Sequence, residues 1–245
     1  MSEYRLLPAG DTALVVELGE QIDRSLSARV LALARRLDRS RLAGVVETVP
    51  TFRSLLVHYD PLVIPAATLG ARIGELMRDL GAAEDAGRRW TLPACYDPRV
   101  APDLDHVAAR SGLSPTQIVE RHSAVTYHVY MLGFLPGQAY LGDVPLDLAL
   151  PRRESPRLKI PAGSLAIAGR VSCIFPLETP CGWHLIGRSP VALWAQAPQP
   201  GALLAAGDKV SFSPVSLREY ESLLAKAADG RLTLLPDEQP IGAAA

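Results

Sequence analysis

Side chains able to bind or activate a small polar molecule are concentrated between positions 120 and 190. His122 ends an apolar-periodic stretch and offers an imidazole that can work as general acid or base, or hold a carboxylate. Its other reading is a cap on the C-terminus of that stretch, favoured by the helix dipole. The segment MLGFLPGQAYLGD, Met131–Asp143, breaks an apolar run at Pro136-Gly137. Gln138 and Tyr140 follow, an amide and a phenol suited to a planar polar ligand such as a lactam or ureide. Arg152, Arg153, Arg157 and Lys159 put four cations within eight residues. They suit a carboxylate or phosphate, with Arg157 and Lys159 the strongest candidates, or else form a solvated loop. Ser164 follows Ala162-Gly163, where successive N–H groups can make an anion nest or simply turn the chain into a strand. Arg188 can meet a carboxylate on a ligand or partner, and Glu178 is a candidate general base or a turn-facing acid. Trp183 reads as a core or interface residue.

Several chemistries are missing. No G-x-x-x-x-G-K-[ST] loop cradles a phosphate, and no G-x-S-x-G elbow presents a nucleophile. The five histidines lack metal spacing, so no metal site is expected. Three cysteines, Cys95, Cys173 and Cys181, are scattered and odd in number, which argues against a disulfide framework or zinc site and for a reducing compartment. The first two sit in apolar strand-like contexts, whereas Cys181 is expected on a turn. A net charge of −1 argues against an electrostatically held nucleic acid. With no signal-peptide pattern and no run of 18 apolar residues, the expected location is the cytoplasm, away from any membrane.

The 245 residues, 48% hydrophobic and 21% charged, suffice for one large domain or two small ones. ALVVEL (13–18) is β-branched and reads as a strand, and Leu26, Val30, Leu33, Ala34 and Leu37 recur at helical spacing. Strands 45–49 and 54–59 follow, then a helix marked by Leu69, Ile73, Leu76, Met77 and Leu80, stopped by Gly81. With WTLPACY (90–96) as a last strand, the order β-α-β-β-α-β is the split βαβ arrangement. Residues 1–88 are therefore expected to form a small α/β domain, with 81–89 as linker.

Residues 103–124 read as two helices, the second capped by Ser114, Pro115 and Gln117. Short strands punctuated by Gly and Pro then predict a barrel or sandwich over 89–230. A closing helix starts at Ser216 and Glu219, and 231–245 is expected to fray. The fold class is α+β.

Four stretches carry a resemblance, in order: Gly133–Leu141 (GFLPGQAYL), Pro151–Arg157 (PRRESPR), Pro161–Gly169 (PAGSLAIAG) and Phe175–Gly187 (FPLETPCGWHLIG). GDTALVVELG near the start and VPTFRSLLVHYDP (49–61) agree with it, so the likeness spans roughly Leu7 to Ser213. The chain resembles the family that contains the B subunit of bacterial 5-oxoprolinase, the KipI-type sporulation-kinase inhibitors, the first subunit of allophanate hydrolase and part of the carboxyltransferase region of urea carboxylase. Many relatives read P-G-G-W where this chain has Pro180-Cys181-Gly182-Trp183, and the oxoprolinase-type members often carry Phe at the position of Gln138.

The resemblance implies an N-terminal α/β domain followed by a cyclophilin-like β-barrel. It implies a C-type subunit as partner, in a heteromer, and an A-type subunit as third component in ATP-dependent opening of 5-oxoproline to glutamate. ATP would then enter at the level of the complex, with no cofactor held by this chain alone. His122, Tyr140 and Glu178 become candidate catalytic groups, and Gln138, Arg157, Lys159, Ser164 and Arg188 candidate substrate contacts. Two alternatives stay open: a binder that inhibits a histidine kinase without chemistry, and an allophanate hydrolase or urea carboxylase type of subunit.

Overall fold

Apolar alternation builds a four-stranded sheet from the first strands of the chain. β1 (Arg5–Pro8), β2 (Ala13–Glu17), α1 (Arg24–Ser40), β3 (Val45–Pro50), β4 (Ser54–Tyr59) and α2 (Ala66–Arg78) follow one another, and the strands pair antiparallel in the order β1-β2-β4-β3. In the computed structural model, residues 4–78, 80, 87–195 and 201–237 are described. Leu55, Val57 and Tyr59 alternate into the core of this unit and meet Val30, Leu33 and Leu37 of α1 and Leu69, Ile73 and Met77 of α2. Asp23 caps α1, accepting from the backbone N–H of Ser25 and Leu26.

The chain divides into two units, residues 1–86 and 87–245. The split βαβ core, β2-α1-β3-β4-α2, is present, but its fourth strand differs from the expected one. The edge beside β2 is filled by Arg5–Pro8 from the N-terminal side. Residues 89–95 belong to the second unit. The reason is their burial pattern: Trp90, Leu92 and Ala94 point into the second core. The expected linker is likewise shortened. Arg88 already bonds Asp208, N–H to Oδ1 at 2.9 Å and Nη2 to Oδ2 at 2.8 Å, while 81–86 and the Gly81 helix stop lie outside the described residues.

The second unit runs through β5 (Arg89–Cys95), α3 (Leu104–Ser111), α4 (Pro115–Ser123), β6 (Tyr127–Leu132) and β7 (Ala139–Gly142). It continues with β8 (Arg157–Ile160), β9 (Ser164–Ala168), β10 (Val171–Ile174), β11 (Thr179–Cys181) and β12 (His184–Arg188). β13 (Trp194–Ala195), β14 (Gly201–Ala202), β15 (Lys209–Val215) and α5 (Leu217–Ala228) complete it. Seven strands close into a barrel in the order β10-β7-β6-β15-β5-β12-β9, with β5 and β15 parallel. Closure removes exposed sheet edges, which decides between the barrel and sandwich readings. β8 and β11 form a separate antiparallel pair.

Ser114 and Gln117 form the reciprocal capping box on α4. Residues 231–237, expected to fray, are held instead. Asp237 N–H donates to Arg89 O at 2.8 Å, its carboxylate accepts from Thr91 Oγ1, and Leu234 packs on the barrel core.

The break in the Met131–Asp143 segment is the β6–β7 turn. Gln138 N–H donates to Leu135 O at 3.0 Å across Pro136 and Gly137, and Gly137 has φ +76°. Pro then positive-φ Gly is the type II pattern. A Cβ on Gly137 would lie 2.5 Å from Leu193 O, whereas one on Gly112 (φ +67°) would meet nothing within 4 Å. Gly112→Ala should therefore cost about 1 kcal/mol for the backbone conformation alone. Gly137→Ala should cost clearly more, because the carbonyl must also move. Denaturant unfolding of both variants reads the difference, and equal losses would contradict it.

Candidate functional site

The β6–β7 turn delivers its polar side chains to one side of the barrel. A cleft of about 220 Å3 opens there, walled by Phe134, Gln138, Tyr140, Phe175 and Trp183. Tyr140 and Phe175 each meet Trp183 edge-on, at centroid distances of 6.1 and 6.2 Å. Phe134 is 69% exposed and has φ +72°, a left-handed conformation that a bulky residue adopts only where its surroundings impose it. The exposed Arg152 guanidinium lies 5.8 Å from the Trp183 ring and also lines the cleft.

Gln138 is the unusual member of this wall. It is buried, its Nε2 lies 3.9 Å from Cys173 Sγ, and its Oε1 has no hydrogen-bond partner among the described residues. An unsatisfied buried carbonyl costs about 1–3 kcal/mol, a cost that a ligand N–H would relieve. Burial raises the Tyr140 phenol, with Cys173 adding to the effect and Arg152 opposing it, so the hydroxyl stays a donor at neutral pH. A flat small ring can lie against the aromatic walls, give an N–H to Gln138 and present an anionic group to Arg152.

A second cleft of about 370 Å3 shares Arg152 and is lined by His106, Arg110, Arg153, Glu154 and His184 among others. His106 and His184 stack at 5.4 Å with an interplanar angle of 16°.

Both clefts depend on Asp103, just before α3. Its carboxylate accepts from Arg157 at 2.8 and 2.7 Å, from Arg153 Nη1 at 2.9 Å, and from Leu185 N–H at 2.8 Å. It thus ties the start of α3 to the 151–157 segment and to β12. Burial opposes the charge on Asp103, but the Arg157 hydrogen bonds, the Leu185 amide and the two guanidinium charges outweigh it and hold the carboxyl below the usual range.

The remaining candidates are placed elsewhere, for physical reasons. His122 is fully buried in the barrel, with Nδ1 2.9 Å from Tyr96 OH and Nε2 3.3 Å from Ser172 Oγ. Ser172 Oγ donates to Ala166 O, so it accepts from Nε2–H, and Nδ1 accepts from Tyr96. Desolvation pushes the imidazole down to about 3, so it stays neutral at physiological pH. Arg157 is occupied by Asp103. Lys159 and Glu178 are exposed and pair with each other at 2.8 Å, and neither lines either cleft.

Ser164 Oγ donates to Pro161 O at 2.6 Å, and the N–H groups of Gly163 and Ser164 bond Phe175 O and Pro161 O, so no nest faces a ligand. Arg188 Nε donates to Ala162 O at 2.9 Å. Cys181, expected on a turn, is buried in β11, where its Sγ accepts from Trp183 N–H at 3.2 Å. Burial pushes the Cys95, Cys173 and Cys181 thiols up. Of the eight candidates, the structure brings Gln138 and Tyr140 together in one cleft. Arg152 belongs to the cationic run without standing out within it, and a cation flanking an aromatic motif was its available signal. His106 and His184 meet only in the fold, and nothing in PDLDH distinguishes Asp103.

Three comparisons bear on identity. The family described as "Carboxyltransferase domain, subdomain C and D" matches residues 4–204. The chain is 35% identical over 230 residues to the B subunit of 5-oxoprolinase from Bacillus subtilis (strain 168), covering 89% of this chain and 96% of that one. It is 38% identical over 217 residues to the protein of that name from Escherichia coli O157:H7, covering 87% and 97%. A crystal structure of Kluyveromyces lactis urea carboxylase superposes with TM-score 0.79 at 20% identity over 96% of this chain and 24% of that one, which shows a shared fold. The chain belongs to the carboxyltransferase subdomain C and D family. Among the described residues, no helix is long and apolar enough to cross a membrane and no cluster of His, Cys, Asp or Glu could hold a metal ion.

Asp103→Asn should destabilise the chain by about 2–3 kcal/mol at pH 7, discounted from a fully buried pair because both arginines keep over a quarter of their surface exposed. The folded carboxyl is depressed, so its contribution is complete above the unfolded value of about 4 and is lost as pH falls through the lower folded value. The stability gap between wild type and variant should therefore shrink below about pH 4. Denaturant titrations at neutral and acid pH check this, and a constant gap would refute it.

Proposed function

We propose that this member of the carboxyltransferase subdomain C and D family is the B-type subunit of an ATP-dependent 5-oxoprolinase. In it the Gln138 cleft holds 5-oxoproline or a close carboxylated cyclic amide. The observation that carries the ligand class is the orphaned Gln138 carbonyl of the aromatic-walled cleft, with Arg152 beside it, a feature of this chain where oxoprolinase-type members often carry Phe. A lactam supplies one N–H for Oε1, a flat ring for Trp183 and Phe175, and a carboxylate for Arg152. A cleft of about 220 Å3 is smaller than drug-sized pockets, as a five-membered ring requires. Relatives of 35% and 38% identity over nearly their full length are named as the B component of 5-oxoprolinase, which supports the same assignment and implies partner subunits.

In this account the chain binds and orients, and the ring-opening chemistry uses groups from A- and C-type partners. Its own nucleophile candidates are quiet: the thiols are held protonated by burial and Ser164 is spent on Pro161. ATP enters through the complex, where it supplies the energy to open an amide ring.

The test reconstitutes the chain with its A- and C-type partners and measures glutamate formed from 5-oxoproline and ATP. Gln138→Leu should lower kcat/KM about 10-fold, the worth of one hydrogen bond. Arg152→Ala should raise KM by about 10- to 100-fold, as expected for a charge-assisted contact. Lys159→Ala should leave turnover unchanged. No turnover with all components present, or full activity in Gln138→Leu, would overturn the reading.

A further inference from the structure

The second cleft carries an inference of its own, independent of the lactam reading. Two of its lining residues each hold a buried polar atom without a partner among the described residues, Arg153 Nε and His184 Nδ1. They have opposite character. Arg153 Nε–H is always a donor. His184 is 4% exposed, and its Nε2 lies 2.9 Å from Pro151 O. A carbonyl only accepts, so in the neutral ring Nε2 carries the proton and Nδ1 is a bare acceptor. The His106 ring stacked on it and the Pro151 contact fix its plane. One orphan donor and one orphan acceptor therefore belong to side chains of the same cleft, with Arg110 and Arg152 adding fixed positive charge against Glu154, the one acid of its lining.

A ligand that satisfies this wall carries negative oxygens for the guanidinium groups and one hydrogen to give to His184. A fully deprotonated anion such as sulfate meets the arginines but leaves Nδ1 facing its lone pairs. A phosphate monoester, with a second pKa of about 6, has likewise lost its O–H above neutral pH. Hydrogen phosphate keeps one O–H through this range. We propose that the cleft lined by His184, Arg153, Arg152 and Arg110 is a binding site for inorganic phosphate in its O–H-bearing form, selective against sulfate and phosphate monoesters.

The test uses the purified full chain at about pH 7.5, above the monoester pKa. Inorganic phosphate, methyl phosphate and sodium sulfate are titrated separately and followed by imidazole and backbone 1H–15N spectra. Phosphate should bind with shifts at His184 and His106, and sulfate and methyl phosphate should bind about 10-fold more weakly or worse, for want of one hydrogen bond. His184→Gln keeps a donor for Pro151 O but removes the Nδ1 acceptor, and it should bring phosphate down to the sulfate level. Arg110→Ala, on the exposed face of α3, should weaken all three anions alike. Sulfate binding as tightly as phosphate, no binding of any anion to the folded chain, or selectivity surviving in His184→Gln would each overturn the proposal. Turnover of 5-oxoproline plays no part in the readout, so failure of the lactam reading would leave this result unaffected.

Discussion

Asp103 is the interaction on which the geometry of both clefts depends. One carboxylate takes four hydrogen bonds, from two arginines and the Leu185 amide, and so joins three pieces of chain that are far apart in sequence. Arg153 and Arg157 fix the 151–157 segment, and the Arg153 backbone N–H donates to Gly182 O at 2.8 Å. Arg152 is thereby set between the two clefts, against Trp183 on one side and near the histidine pair on the other. The acid is buried at a cost that its partners offset, a balance typical of networks retained for position rather than for net stability.

The barrel uses its polar groups in two distinct ways. Inside, Tyr96, His122, Ser172 and Ala166 O form a closed relay in which every donor has an acceptor, next to the rings of Tyr127 and Phe212. Such a chain stiffens a core and has nothing left for a ligand. At the clefts the opposite holds, since Gln138 Oε1, Arg153 Nε and His184 Nδ1 are buried and unmatched. Native proteins leave few such groups, and three of the five among the described residues belong to side chains that line the two clefts sharing Arg152. Their clustering separates the proposed binding surface from the scaffold more sharply than residue type does.

That distinction also explains what the sequence made legible. Periodicity, capping and turn chemistry were readable because they are local: the Ser114–Gln117 box, the type II turn at Pro136-Gly137 and the alternation in 54–59 are all present in the fold. The exchange of edge strands was not readable, because Arg5–Pro8 is short and largely exposed while 90–96 looks like a strand wherever it pairs. Among the candidate residues, Gln138 and Tyr140 share a cleft because one turn presents both. His122, Arg157 and Lys159 drew attention by chemical type, but their partners Tyr96, Asp103 and Glu178 lie 26, 54 and 19 positions away in sequence. Whether a polar side chain is already satisfied is a tertiary fact.

Recognition of a small carboxylated ring through its amide is what the Gln138 cleft is proposed to do. The decisive experiment is a crystal structure of the chain, assembled with a C-type subunit and soaked in 5-oxoproline. The lactam N–H should lie within hydrogen-bond distance of Gln138 Oε1, with the ring against Trp183 and the carboxylate on Arg152. A ligand bound elsewhere in the assembly, with Gln138 Oε1 still unpaired, would contradict it.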